Sequence, residues 1–196
     1  MSRSGGEKTR ARILEVAEKL FAEGGFDGTS VDSIAHAAGV NKALIYYHFK
    51  DKADLVSSLF AQILEEIERA TANESGGLEP GADPGAAIRT ELDLLEGHRQ
   101  ILAVMLGEAL KAGPRGRTFF ECAELGIERE HPGPRRPRGR ERRRQLVHEF
   151  FTGFVPLVAF VALRSRFCEH FHLEPDEARD LFVEAFLRSH IDSHLS

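Results

Sequence analysis

The chain has 196 residues, a formal net charge of −5 and 42% hydrophobic residues, enough for a small N-terminal module and one larger domain with a real core. No apolar stretch near the start resembles a secretion signal. The longest apolar run, Phe150 to Leu163, is broken by Thr152, Gly153 and Pro156 and falls short of the ~18 residues of a membrane span. Two cysteines, Cys122 and Cys168, exclude a disulfide framework and point to a reducing cytoplasm.

Residues 1–6 read as a disordered arm. Lys8 to Glu23 reads as a first helix, apolar at Ile13, Val16, Ala17, Leu20 and Phe21. Thr29 and Ser30 precede a second apolar run and can cap a helix carrying Val31, Ile34, Ala35 and Ala38. Gly39 supplies a left-handed stop, and Val40 re-enters the core. Asn41 caps a third helix running to about His48. Two short helices about a glycine turn are the signature of a helix-turn-helix, whose second helix enters the major groove of duplex DNA. Its first turn, Asn41, Lys42 and Ala43, would reach base edges or the phosphates beside them. Tyr46, Tyr47 and His48 can donate to phosphate oxygens, and Lys50 and Lys52 add charge. Asp51 and Asp54 resemble a capping box for a fourth helix, Lys52 to Ala72, with Leu55, Leu59, Ile63 and Ile67 on one stripe. Residues 1–50 hold seven Lys/Arg and six Asp/Glu, about +1, so the remainder carries about −6. A DNA-binding face must therefore be basic by local arrangement rather than by bulk, and the dependence of affinity on salt should be shallow.

From Arg10 to Leu55, RARILEVAEKLFAEGGFDGTSVDSIAHAAGVNKALIYYHFKDKADL resembles the DNA-binding domain of the TetR family of bacterial transcriptional regulators. The resemblance rests on the core of the first helix, Gly24-Gly25-Phe26, Thr29-Ser30-Val31, Ala38-Gly39-Val40, Tyr46-Tyr47-His48-Phe49, Lys52 and Leu55. It implies an all-α homodimer of about nine helices. Residues 1–52 would form the helix-turn-helix DNA-binding domain, and residues 53–196 a helical effector-binding and dimerisation domain. Carried over by position, the DNA contacts would be Thr29, Asn41, Lys42, Ala43, Tyr46, Tyr47, His48 and Lys52. Most family members are repressors released from a palindromic operator by a small molecule. Leu44 departs from the Thr, Ser or Ala common at its position, which leaves the operator sequence open.

Glu74 to Gly85 is a Gly/Pro-rich connection, after which Asp83 caps and Pro84 opens a fifth helix to about Glu96. A sixth starts at Gly97 or His98 and ends before Gly113 and Pro114. Thr118 to Glu130 reads as another helix. HPGPRRPRGRERRR, His131 to Arg144, has three prolines, two glycines and seven arginines between Arg135 and Arg144. The prolines and glycines rule out regular structure in its first part, and it reads as a solvated, mobile loop running into the first turn of the next helix, with a second nucleic-acid contact as the sharper alternative. Gln145 to Phe171 is a long apolar helix with a kink expected at Pro156, and Pro175 opens a last helix to about Ile191. Two such final helices suit a four-helix dimer interface built from two subunits, with Val158, Val161, Ala162, Phe182, Phe186 and Ile191 as its candidates.

In the resembled family the effector pocket lies among the middle helices. Leu95, Leu102, Met105, Leu106, Phe119, Phe150, Phe151 and Phe154 would line it, and Glu108 and His148 would orient a mostly apolar effector. Cys168, His170 and His172 lie close in sequence, and His190 and His194 are one helical turn apart. Antiparallel final helices would keep these two groups at opposite ends, so no metal site is expected, and no cofactor. The chain has no HExxH, no GxSxG and no phosphate loop, which leaves an enzyme as a remote alternative. An activator or an effector-independent DNA-binding protein remains open beside the repressor.

Overall fold

A computed structural model describes residues 3–71, 84–110, 115–130 and 138–191. The connection beginning at Glu74, residues 131–137 of the arginine-rich stretch and His194 lie outside them. The described residues form nine helices and no strand. They are α1 (Arg3–Gly28), α2 (Val31–Ala37), α3 (Lys42–His48), α4 (Lys52–Thr71), α5 (Pro84–Gly97), α6 (Arg99–Ala109), α7 (Arg115–Glu130), α8 (Gly139–Phe171) and α9 (Pro175–Phe186). A π-helical segment, Leu187–Ile191, continues α9. The fold is all-α.

Two compact units emerge, and they divide the chain differently from the expected boundary at residue 52. One comprises residues 1–62 with 104–122, the other 63–103 with 123–196. Helices α4, α6 and α7 each have residues in both.

In the first unit, Ile13, Leu14, Ala17 and Phe21 of α1 are buried, as are Ile34, Ala35 and Ala38 about α2 and Ile45 and Phe49 about α3. Leu55, Val56, Leu59 and Phe60 of α4 are buried too. Helix α1 starts earlier than its apolar pattern does, and the Thr9 hydroxyl donates to the Gly5 carbonyl in its opening turns. It is broken at Gly25 (φ 68°), the left-handed position that the Gly24-Gly25 pair anticipates.

In the second unit, Leu92, Leu95, Ile101 and Leu102 are buried, with Leu157, Val158, Val161, Ala178, Val183 and Phe186. Helix α5 packs against α8 and α9. Its edge is tied to them by Arg164 to Glu96 at 3.1 Å and Arg179 to Asp93 at 2.9 Å. Helix α8 begins at Gly139, earlier than expected, so Arg140, Arg142, Arg143 and Arg144 lie on its first turns rather than in a loop. Arg142 reaches Glu124 and Glu128 of α7 at 3.8 and 3.6 Å, which fastens this end.

The disturbance expected at Pro156 takes the form of a π-helical turn, Glu149–Phe154. Proline has no N–H for the carbonyl one turn back, and its ring crowds that carbonyl. Widening the turn, with the Val155 N–H bonded to the Phe150 carbonyl, accommodates it. By length and composition α8 alone would also suffice to cross a membrane, a property it shares with the core helices of helical bundles.

Candidate nucleic-acid interface

The reader motif is built by local capping. The Ser30 hydroxyl accepts from the Ser33 N–H at 2.9 Å, and Ser33 accepts from the Ser30 N–H at 3.0 Å, a reciprocal box that starts α2. At the other end Gly39 (φ 59°) reverses the chain. The Val40 N–H bonds to the Ala35 carbonyl and the Gly39 N–H to the His36 carbonyl, both at 3.0 Å, so the helix end is closed before the turn. The Asn41 side-chain oxygen accepts from the Leu44 N–H at 2.8 Å and starts α3. Asp51 then accepts from the Asp54 N–H and Asp54 from the Lys50 N–H, both at 2.8 Å, which opens α4.

Helix α3 has one buried side and one exposed side. Ile45 is 1% exposed, whereas Tyr46 and Tyr47 are 50% and 80% exposed. Asn41, Lys42, Ala43 and Lys50 are exposed as well, Leu44 and His48 are half-buried, and Tyr47 packs edge-on against the His48 ring. The reader residues Asn41, Lys42, Ala43, Tyr46, Tyr47 and His48 thus share this one short helix and its cap. Lys42 is paired with Asp32 at 2.8 Å, and that hydrogen bond holds its ammonium above the ordinary lysine value. Both groups are exposed, so a phosphate can compete for the lysine at little cost.

Two of the expected DNA contacts have partners within their own domain. Thr29 is only 3% exposed, and its hydroxyl lies 2.8 and 2.9 Å from the Leu20 and Gly25 carbonyls. It closes the break in α1 rather than facing solvent. The Lys52 ammonium donates to the Phe26 carbonyl at 2.6 Å and the Thr29 carbonyl at 3.0 Å, and it sits 4.3 Å from the centre of the Phe26 ring. Two of its three donors are used within the domain. Sequence reasoning also missed Arg12, which donates to the Ala38 carbonyl at the turn. An arginine on a helix face carries no signal of a backbone partner 26 residues away.

The expected effector residues are shared between the two units. Met105, Glu108 and Phe119 line a cavity of about 20 Å³ in the first unit, with Phe26, Val56, Val104 and Thr118. Leu106 is half-buried in the same unit, while Leu95 and Leu102 are buried in the second. Phe150 and Phe154 stack at 6.2 Å in the π-helical turn, and the His148 ring stacks on His190 at 5.2 Å. Phe151 is 63% exposed and stands on the surface.

Val158, Val161 and Phe186 are buried within their own unit, Ala162 and Phe182 are half-buried, and the side chain of Ile191 lies outside the described residues. Besides Val147 and Phe151, the large apolar side chains that α8 and α9 expose are Leu163, Phe167, Phe171 and Leu181. The i, i+4 spacing of Leu163, Phe167 and Phe171 is the signal that could have found them. Cys168 is buried, His170 and His172 are exposed, and no group of three metal-ligating side chains occurs among the described residues.

Residues 13–59 match the family model described as bacterial regulatory proteins, tetR family. The chain is 50% identical over 54 residues to the transcriptional regulator AcrR of Shigella flexneri, covering 28% of this chain and 25% of that protein. It is 28% identical over 126 residues to the transcriptional repressor KstR2 of Rhodococcus jostii, covering 64% and 61% of the two chains. These matches span about a quarter and three-fifths of the curated relatives. Both relatives are regulators rather than enzymes. The crystal structure of NalD, the secondary repressor of the MexAB-OprM multidrug efflux pump in Pseudomonas aeruginosa, shares the fold with a TM-score of 0.55 at 22% identity, over 94% of this chain and 96% of that one. Over residues 13–59, the helix-turn-helix domain is thus similar to that of the TetR family of bacterial regulatory proteins.

Proposed function

We propose that the protein is a cytoplasmic transcriptional repressor that binds a palindromic operator as a homodimer and is released by a small, mostly apolar effector. The observation that carries this reading is the reader helix: Ile45 anchors it while Tyr46 and Tyr47 stand 50% and 80% exposed beside the Asn41 cap. Exposed tyrosines on a capped second helix are placed to grip phosphates while the first turn meets base edges. Asn41, Lys42, Ala43, Tyr46, Tyr47, His48 and Lys50 are the proposed contacts. The repressor reading draws on KstR2, a named repressor, and the apolar effector on the phenylalanines of α7 and α8.

Selection of genomic fragments by the purified protein at two salt concentrations tests the reading. An enriched palindrome is expected, with affinity falling on a shallow salt slope because the domain has few unpaired cations. Enrichment without symmetry would overturn the dimeric operator, and no enrichment at either salt would overturn sequence-specific binding. Thermal shifts with a panel of apolar ligands test the effector, since a ligand that binds only the native state stabilises it.

A further inference from the structure

Lys52, the residue at the start of α4 that a DNA-binding reading assigns to a phosphate, is half-buried and bonded to carbonyls of its own domain. We propose that Lys52, acting through Phe26, is a positioning residue for the reader helix, and that the segment 104–122 acts on DNA affinity through this pair. The proposal rests on the DNA-binding reading above.

An ammonium has three N–H donors. Two of those on Lys52 meet carbonyl oxygens, Phe26 at 2.6 Å and Thr29 at 3.0 Å, and the charge lies 4.3 Å from the centre of the Phe26 ring. The Phe26 carbonyl lies in the end of α1 beyond its break at Gly25, and the Thr29 carbonyl in the short connection to α2. Thr29 in that connection is pinned to the end of α1 by its hydroxyl, and Ser30, its neighbour, caps α2. One side chain at the first turn of α4 therefore fixes where α2 begins. Helix α3 follows α2 through the closed Gly39 turn, so the angle of the reader against α4 is set there. A phosphate contact by Lys52 has only the third N–H to draw on while these two charge-assisted hydrogen bonds hold.

Phe26 is the second half of the joint. Its ring stacks on Phe21 at 5.9 Å. It also lines the cavity shared with Val56, Val104, Met105, Glu108 and Phe119. That cavity measures about 20 Å³, space for about one water molecule. There is little slack, so a displacement of Met105 or Phe119 is taken up by the Phe26 ring, and with it by the carbonyl that Lys52 holds.

The test uses the full chain, the operator from fragment selection, and Lys52→Met, Lys50→Gln, Met105→Ala and the double variant Lys52→Met/Met105→Ala. Kd is measured between about 50 and 200 mM salt for operator and for random duplex. Lys50→Gln, the phosphate control, should make the salt slope shallower by about 0.9. Lys52→Met should weaken operator binding about tenfold or more, from two lost charge-assisted bonds, at an unchanged slope and with a reduced ratio of operator to random binding. The double variant should lose less than the product of the single losses, since both act on one joint. The proposal is overturned if Lys52→Met lowers the slope by about 0.9 and leaves the ratio intact. It is also overturned if the two losses multiply. Amide hydrogen exchange without DNA gives a separate reading, and Phe26→Leu serves if Met105→Ala does not fold. Either change in the joint should speed exchange across residues 31–48 ahead of α1, and equal protection there would sink the joint even if no duplex were bound. A wild-type protein that binds no DNA but shows this exchange pattern would count against the DNA-binding reading alone.

Discussion

At the scale of single residues, the chemistry of the reader was legible and its internal wiring was not. Residue type and spacing announce Asn41 as a cap and Tyr46 and Tyr47 as exposed donors. They do not reveal that Thr29 and Lys52 turn inward, because the carbonyls they meet become available only once α1 breaks at Gly25. Thr29→Val keeps the shape and removes the hydroxyl from two buried carbonyls. It should cost about 1–3 kcal/mol in urea unfolding, with no change in the salt slope of DNA binding. A changed slope would return Thr29 to the phosphate contacts. Cys122 gives a pH prediction. Burial pushes its thiol up to about 12 from an ordinary 9.0, against a smaller opposing pull from a hydrogen bond with Ser57. The folded state therefore keeps the proton that the unfolded chain gives up. The stability this contributes is complete below pH 9 and is lost as the pH rises from about 9 towards 12. Cys122→Ala should flatten that alkaline fall relative to the wild type, and parallel curves would show that the thiol does not contribute.

At the scale of elements, the helices followed from apolar period and capping residues, while their joints depended on neighbours distant in sequence. The Gln145 start expected for α8 was read from prolines and glycines, which end regular structure only up to Gly139. The arginines beyond it form helix because Arg142 has acidic partners on α7. Arg142→Gln should therefore lower stability, by up to about 1 kcal/mol for half-exposed pairs. Arg140→Gln and Arg143→Gln, on exposed positions, should stay within about 0.5 kcal/mol of the wild type. A loss as large at Arg140 as at Arg142 would mean that the ties to α7 do not hold this end. The π-helical turn near Pro156 offers a sharper case. A Cβ on Gly153 would come within 3.0 Å of the His190 ring. That ring cannot step aside freely, with Nδ1 2.9 Å from the Thr152 hydroxyl and Nε2 3.5 Å from the buried Glu149. Gly153→Ala should cost about 1–3 kcal/mol through this overlap, measured by chemical unfolding. The double variant with His190→Ala should recover part of the loss through relief of the clash, and strict additivity would remove the explanation.

At the scale of the whole molecule, the last two helices hold the candidates for a dimer interface, and the side chains they leave most exposed are not the ones the sequence reading favoured. Val158, Val161 and Phe186 are the apolar positions that fill the subunit itself, and hydrophobicity alone does not distinguish inward from outward on a helix that is apolar nearly all round. Leu163, Phe167, Phe171 and Leu181 are 54%, 46%, 58% and 52% exposed. Leu163, Phe167 and Leu181 border an apolar groove of about 430 Å³ between α8 and α9, floored by Phe160 and Phe182 stacked at 4.1 Å. Large contiguous apolar patches are uncommon on free monomers. A second copy related by a two-fold axis would cover the same face on both chains. Phe167→Glu places a carboxylate in that contact, where its desolvation opposes association. The variant should keep its helical far-UV spectrum yet sediment as a monomer, while Phe151→Glu, on another exposed position, should remain dimeric. Operator affinity should fall with dimer loss by about 10²–10⁴-fold, because the second half-site is then no longer bound as an intramolecular event. A Phe167→Glu protein that sediments as a dimer and holds the operator as tightly as wild type would move the interface elsewhere, and the exposed Leu163, Phe167 and Phe171 stripe would need a different partner.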